Sequence, residues 1–205
     1  MLKAKDFRER AWGKLKGKWG TAALIAFVYS LIMGACSALS YIYIGGIASL
    51  LISGPLALGF AAVALHIMRT EEIEVGQLFG GFRNFGTAFL VNLLNGIFIF
   101  LWTLLLIVPG IIKSFSYSLS YYILADNPSM SATEVRKRSI ELMRGNKWRL
   151  FCLELSFIGW WLLCILTLGI LSFWIVPYYN AAVAEFYQSL LPQEQSQSTE
   201  ELPPV

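Results

Sequence analysis

The chain has 205 residues, of which 57% are hydrophobic and only 14% charged. Soluble domains carry about 25% charged residues, so this composition and a mean hydropathy of +0.61 exclude an ordinary soluble domain and indicate an integral membrane protein. The net charge of +3 is too small to favour a nucleic-acid partner.

Six apolar segments are candidates to cross the hydrocarbon core of a bilayer, which takes about 20 helical residues. We predict spans at 20–39, 47–68, 86–108, 111–125, 148–166 and 170–190. The fourth is the shortest, because 15 residues at about 1.5 Å each reach only about 22 Å. Each hairpin is marked by a proline, namely Pro55, Pro109 or Pro177. The predicted fold is therefore all-α, a polytopic helical membrane protein with six transmembrane helices in three proline-marked hairpins.

Amphipathic segments precede these hairpins, and we predict that they are interfacial helices at 2–19, 70–85 and 131–145. The first has apolar residues at helical spacing among basic ones, which is the pattern of a helix lying in the headgroup layer. The second could instead be re-entrant, and Gly80-Gly81 makes its regularity doubtful. The third begins at a capping box, Ser131-Ala132-Thr133-Glu134, and stops at Gly145-Asn146.

The basic residues predict the orientation of the chain. Of the 16 lysines and arginines, 15 lie in 1–19, 69–86 and 126–149, which share one side of a six-span protein. By the positive-inside rule, both the N-terminus and the C-terminus are cytoplasmic. Residues 1–190 then form a single membrane domain, and 191–205, rich in Gln, Ser, Glu and Pro, is predicted to be a disordered cytoplasmic tail.

A weak internal repeat accompanies this organisation, since an amphipathic helix, a span and a returning span recur three times. Leu15-Lys16-Gly17-Lys18-Trp19 and Met143-Arg144-Gly145-Asn146-Lys147-Trp148 enter their spans alike. Any helical hairpin protein with basic loops would show part of this pattern.

The fourth span has a polar face, which distinguishes it from the other spans. At 100° per residue, one broad arc holds Lys113, Ser114, Ser116, Tyr117, Ser118, Ser120 and Tyr121. Because lipid offers no hydrogen bonds, this face should turn to a protein interior or a wet cavity. Lys113 is either a functional intramembrane charge or a cation that reaches the outer headgroups near Pro109. We expect a polar dimple there that draws in an anionic headgroup.

Two carboxylates, Glu154 and Glu185, lie six to seven residues from the inner ends of the last two spans. We predict structural pairing with Arg149, Lys147 or His66; coordination of a passing cation is the alternative. Asp126 and Asn127 are expected to cap helix ends. A cluster of basic residues on the third amphipathic segment is predicted to bind anionic lipid: Arg136, Lys137, Arg138 and Arg144.

The sequence contains no recognisable catalytic or metal-binding motif. His66 is the only histidine, and Cys36, Cys152 and Cys164 have no CxxC spacing and resemble small buried hydrophobic residues. HExxH, GxSxG and DxxD patterns are missing. We therefore predict that the protein is no enzyme and has no metal site, no catalytic residue and no cofactor.

The motifs resemble a bacterial integral membrane family known as domain of unknown function 975. The matching stretches are Gly54-Pro55-Leu56-Ala57-Leu58-Gly59, Leu78-Phe79-Gly80-Gly81-Phe82, Val108-Pro109-Gly110-Ile111-Ile112-Lys113, Ser116-Tyr117-Ser118, Ile123-Leu124-Ala125-Asp126-Asn127-Pro128, Leu142-Met143-Arg144-Gly145, Leu155-Ser156-Phe157-Ile158-Gly159-Trp160 and Pro177-Tyr178. The resemblance covers 1–190 and implies a multi-pass protein of the bacterial cytoplasmic membrane, mostly in Gram-positive species, with no established activity. A weaker likeness to the membrane portion of some glycerophosphodiesterases brings no catalytic residue to this chain.

Three classes of function follow from these patterns. We favour an accessory or scaffold protein that binds membrane lipids, above all anionic ones, or a membrane-protein partner. The alternative is a small transporter or channel that uses the polar face around Lys113, and the third class is a lipid-modifying enzyme. The first two differ in whether that face lies in a packed core or lines a water-filled cavity.

Overall fold

The computed structural model describes residues 3–39, 45–69, 73–105 and 107–191, and in these ranges all regular structure is helical. The helices are α1 (Ala4–Leu15), α2 (Trp19–Leu39), α3 (Gly45–Arg69), a 3-10 helix (Val75–Asn84), α4 (Phe85–Leu105), α5 (Ile107–Tyr117), α6 (Ser120–Asp126), α7 (Ala132–Leu142), α8 (Lys147–Ser156), α9 (Ile158–Leu166) and α10 (Ser172–Gln188). The all-α prediction is confirmed. The tail predicted at 191–205 lies, apart from Leu191, outside the described residues.

Four stretches of the described chain are long and apolar enough to cross a membrane: Trp19–Cys36, Ser49–Arg69, Val75–Leu104 and Lys147–Leu166. They correspond to the predicted first, second, third and fifth spans. The predicted fourth span is divided between α5 and α6, and the sixth, α10, has 17 residues. Both are therefore shorter than a typical single membrane-crossing helix.

The central helix of the bundle is α3. Of the residues in the apolar stretch Ser49–Arg69 of α3, 61% are buried inside the protein. The corresponding share is 17% to 22% in the other three apolar stretches. The helices α2, α4, α6 and α10 and the 3-10 helix all pack around it. Small residues allow this close packing: a Cβ added to Gly54 would lie 2.7 Å from the carbonyl oxygen of Ala88 in α4.

The second amphipathic segment is a 3-10 helix, and it packs along α3. Gly81 lies against the carbonyl of Pro55, and Gly59 lies against the carbonyl of Leu78, so neither position has space for a side chain. The doubt about a regular α-helix at Gly80-Gly81 is confirmed, because glycines lower α-helix propensity and favour short 3-10 pieces.

Both basic amphipathic helices are anchored by buried residues on one face. In α1, Phe7, Ala11 and Leu15 are buried against α8 and α10. In α7, Val135 and Ser139 are buried against α4, α5 and α6. These helices are therefore parts of the bundle and not detached leaders.

The connections that leave these two helices are alike in backbone conformation. Gly17 follows α1 with φ 83°, and Gly145 follows α7 with φ 82°, which is the left-handed region that glycine favours. The next helices begin two residues later, at Trp19 and Lys147. This shared geometry supports the internal similarity, and it confirms the predicted stop at Gly145.

The fourth span begins earlier in the chain than predicted, and it is divided into two helices. It begins at Ile107 and not at Ile111, with Pro109 inside the first turn. Proline is tolerated there because the first N–H groups of a helix have no intrahelical acceptor. The chain leaves the α-helix at Ser118 and resumes it at Ser120, so the expected single helix over 111–125 is wrong.

Candidate functional site

The polar face of the fourth span divides among three environments. Lys113 is half-buried, with its ammonium nitrogen 5.0 Å from the centre of the Trp102 ring. Ser116, Tyr117 and Ser120 are buried, whereas Ser118 and Tyr121 line a cavity. The face is therefore mostly a packed surface, with one segment that lines a cavity at the break between α5 and α6.

The serines of this face donate hydrogen bonds to carbonyls of their own turn. The pairs are Ser114 with Ile111 at 2.8 Å, Ser116 with Ile112 at 3.0 Å, Ser118 with Phe115 at 2.9 Å and Ser120 with Tyr117 at 2.7 Å. Such back-bonding satisfies a hydroxyl without an outside partner. Packing of these serines in an apolar environment therefore leaves no hydroxyl proton unsatisfied.

Two asparagines of α4 link the fourth span to its neighbours. The Asn92 side-chain nitrogen donates to the Ser53 hydroxyl at 2.8 Å, and the Tyr121 hydroxyl donates to the Asn92 side-chain oxygen at 2.8 Å. Asn95 donates to the Ser120 hydroxyl at 3.2 Å. Both asparagines therefore bond across helices, and Asn92 connects α3, α4 and α6.

The cavity has a volume of about 230 Å³ and lies at the centre of the bundle. Its polar lining comes from several helices and comprises Tyr29, Ser118, Tyr121, Tyr122, Tyr179 and Asn180. None of the described lining residues carries a charge, and the volume is smaller than the roughly 300–1,000 Å³ of most ligand pockets. Hydroxyls and one amide suit a few water molecules or a small neutral group.

The two carboxylates predicted to lie in the last two spans, Glu154 and Glu185, have different partners. Glu185 accepts a hydrogen bond from Arg10 at 2.8 Å, so pairing is confirmed but the three partners predicted for it are wrong. The reason is that α1 packs beside α10. Glu154 accepts from the Tyr179 hydroxyl at 3.2 Å, and no cation of the described chain pairs with it. Neither carboxylate pairs with Lys113.

The end of the fourth span is held by an ion pair. Arg69 of α3 donates two hydrogen bonds to Asp126, both at 2.7 Å, in the two-pronged geometry that suits a guanidinium and a carboxylate. Asp126 therefore joins two helices instead of capping one. Asn127 does cap α6, because its side-chain nitrogen donates to the Ile123 carbonyl at 3.3 Å.

Three members of the basic cluster on the third amphipathic segment, which comprises α7 and the turn after it, have solvent-accessible side chains. Lys137 and Arg144 are exposed, and Arg138 is partly exposed beside Glu141. The Arg136 guanidinium instead stacks over the Phe98 ring at 3.9 Å. Stacking of this kind covers an arginine while preserving its charge.

The start of α7 has the predicted capping box. The Ser131 backbone nitrogen donates to the Glu134 carboxylate at 2.8 Å, and the Glu134 backbone nitrogen donates to the Ser131 hydroxyl at 3.4 Å. The hydrogen bonds that the carboxylate receives from Ser131 lower the pKa of Glu134. The negative charge is therefore retained at the helix N-terminus, where the helix dipole favours it.

Sequence reasoning missed four polar residues of the cavity: Tyr29, Tyr179 and Asn180 come from other spans, and Tyr122 comes from the fourth span itself. The polar run Tyr178-Tyr179-Asn180 inside an apolar segment was a usable signal. Tyr122 lies outside the predicted polar arc, yet its hydroxyl donates to the side chain of Asn180 at 3.2 Å. The bend between α5 and α6 changes the face that each residue occupies.

These apolar helices define a class, that of helical membrane proteins. Within it, the chain belongs to the family described as Protein of unknown function (DUF975), whose model matches residues 1–113 and 104–194. No curated protein and no solved structure matches the chain. The likeness to glycerophosphodiesterase membrane portions finds no support in these comparisons.

Proposed function

We propose that the chain is a multi-pass accessory protein of the bacterial cell membrane that binds anionic lipid through its basic amphipathic helices. The packed part of the polar face of the fourth span is the observation that supports this proposal most, because it argues against a conducting path. Ser116 and Ser120 are 1% and 0% exposed, and their hydroxyls bond within their own turns. A conducting path would need such groups to face water.

The proposed topology has six spans with both termini in the cytoplasm. Four helical stretches have the required length, and α5 with α6 covers 107–126, about the thickness of the hydrocarbon core. The 17 residues of α10 reach about 25 Å, which a slightly thinned bilayer accommodates. The basic residues of α1, α7 and their flanks then all face the cytoplasm.

Lipid binding is proposed for the accessible cations of α7 and of the turn that follows it, which are Lys137, Arg138 and Arg144. Each contributes about 1 kcal/mol near an anionic surface, and salt weakens the attraction. Arg136 is left out of this surface because aromatic rings cover it. It is instead proposed to hold α7 against α4 and α5.

The experiment replaces Lys137, Arg138 and Arg144 together by glutamine and measures the phosphatidylglycerol that copurifies with the full chain. The matched control preserves the charge with Lys137→Arg, Arg138→Lys and Arg144→Lys. The neutral variant should retain several-fold less phosphatidylglycerol than the control, and the difference should shrink at high salt. Equal retention in the two variants would show that α7 is not a lipid-binding surface.

A small transporter or channel remains the second candidate, and the central cavity is the observation in its favour. Lys113 is not among the described residues that line this cavity. Flux of protons, potassium or phosphate into vesicles that contain the purified chain tests it. Flux above that of empty vesicles, lost in Tyr121→Phe, would replace the accessory-protein proposal.

A further inference from the structure

A groove opens on the outside of the bundle between the helical pair α8–α9 and α10. Its volume is about 400 Å³, and it is lined by Phe151, Glu154, Leu155, Ile158, Trp161 and Tyr179. Leu155 and Ile158 are 46% and 57% exposed. In the proposed topology these exposed apolar side chains face lipid, so the groove opens sideways into the membrane.

Glu154 is the one charged residue that lines this groove. The other acidic residues near the ends of the spans have arginine partners, Glu185 with Arg10 and Asp126 with Arg69. Among the residues that the structure describes, Glu154 has only the Tyr179 hydroxyl as a partner, which donates to one of its two carboxylate oxygens. A carboxylate in a membrane span without a cation is expensive, and such groups mark ligand sites.

Aromatic rings form the walls beside this carboxylate. The Trp161 and Tyr179 rings lie 6.3 Å apart at an interplanar angle of 65°, so they form two adjacent walls, and Phe151 supplies a third ring. The faces of aromatic rings attract cations, and the attraction grows where water is excluded. Aromatic walls with one carboxylate are complementary to an ammonium group.

The depth and the charge of the groove restrict the ligand further. Glu154 lies seven residues after Lys147, which is about 10 Å along the helix. None of the lining residues is basic, so the phosphate of a zwitterionic headgroup would find no cationic partner in the groove. The ligand is therefore one with an ammonium group and no adjacent phosphate.

We propose that this groove binds a cationic membrane amphiphile through its amine or quaternary ammonium group. The ammonium pairs with Glu154 between the rings of Trp161 and Tyr179, and the hydrocarbon chain lies on Leu155 and Ile158. This inference uses the proposed position of α8 and α9 in the membrane. It does not depend on the proposed binding of anionic lipid by α7, because that ligand is negatively charged and the ligand of the groove is positively charged.

Binding is tested with the purified full chain in a neutral maltoside detergent. The probes are octadecyltrimethylammonium and octadecanol, which have the same chain length and differ in charge, and native mass spectrometry measures the fraction of protein that carries one amphiphile. The wild type should bind the ammonium compound about tenfold more tightly than the alcohol. Equal binding of the two probes would overturn the proposal.

Three variants locate the effect. Glu154→Gln should abolish the preference for the ammonium compound, and Trp161→Leu should reduce it several-fold. Tyr179→Phe keeps the ring and frees the carboxylate oxygen that the hydroxyl occupied, so it should retain or increase the preference. Glu141→Gln, which removes a carboxylate from α7, is the matched control and should leave the preference unchanged.

The results of these binding experiments test the groove separately from the proposed lipid-binding function of α7. Unchanged binding in Glu154→Gln, or loss of preference in Tyr179→Phe, would refute the groove. The neutral α7 variant should bind the ammonium probe normally. Loss of phosphatidylglycerol retention in that variant tests the accessory-protein proposal alone.

Discussion

Single polar residues in this bundle are mostly satisfied by partners close at hand. The serines of α5 bond to carbonyls of their own turn, and Asn92 is shared between two neighbouring helices. Lys113 differs, because its ammonium group lies over the Trp102 ring and forms no ion pair within the described ranges. The outer dimple that we expect at Lys113 stays a prediction.

Replacement of Lys113 by methionine tests that dimple. A cation–ring contact that is partly exposed contributes about 0.5–1 kcal/mol, so Lys113→Met should change the free energy of unfolding by no more than that. Thermal unfolding in detergent measures the stability, and copurified anionic lipid measures the ligand. Arg69→Met, which breaks the ion pair with Asp126, should be clearly less stable. A Lys113→Met protein that fails to insert would show that the lysine is structural.

At the scale of elements, backbone contacts decide how the 3-10 helix packs on α3. Gly59 and Gly81 face the opposite backbone with no space for a side chain. Gly80 is adjacent in sequence, yet a Cβ added there would meet no atom within 4 Å. Two neighbouring glycines therefore have different structural roles, one in packing and one at the surface.

This difference predicts the result of two alanine substitutions. Gly81→Ala should lower the free energy of unfolding by about 1–3 kcal/mol, because the new methyl group overlaps the Pro55 carbonyl. Gly80→Ala should change it by less than about 0.5 kcal/mol. Thermal unfolding combined with hydrogen exchange over residues 73–84 measures both. Equal effects of the two substitutions would contradict the observed docking of the 3-10 helix.

At the scale of the whole molecule, the two basic amphipathic helices α1 and α7, each of which begins a helix–glycine–span unit, lie against different parts of the bundle. The first packs on α8 and α10, and the second packs on α4, α5 and α6. Both place their basic residues at the ends of spans, and Lys137 and Arg144 are exposed on the second. In the proposed topology, these two units form one basic cytoplasmic surface.

Cysteine labelling tests this orientation in intact cells. In a background with Cys36, Cys152 and Cys164 replaced by alanine, Gly45→Cys should react with an impermeant maleimide added from outside. Lys137→Cys should react only after the membrane is permeabilised. Labelling of Gly45→Cys from the cytoplasm alone would refute the six-span topology.

Local patterns in the sequence predicted local structure well. The capping box at Ser131 and the stop at Gly145 are both present, because each depends on residues close together in the chain. Long-range pairing was not predictable in the same way. Arg10 with Glu185 depends on which helices become neighbours, and periodicity carries no information about that.

The asparagines of α4 also bear on how the chain is made. The serines of α5 find their acceptors within one turn, as soon as that turn forms, but Asn95 donates to Ser120, which is synthesised 25 residues later. If α4 entered the bilayer alone, this amide would have no partner in the hydrocarbon. We therefore expect the nascent third and fourth spans to wait beside the insertion machinery and to leave it together, with the hairpin and not the single helix as the unit of insertion.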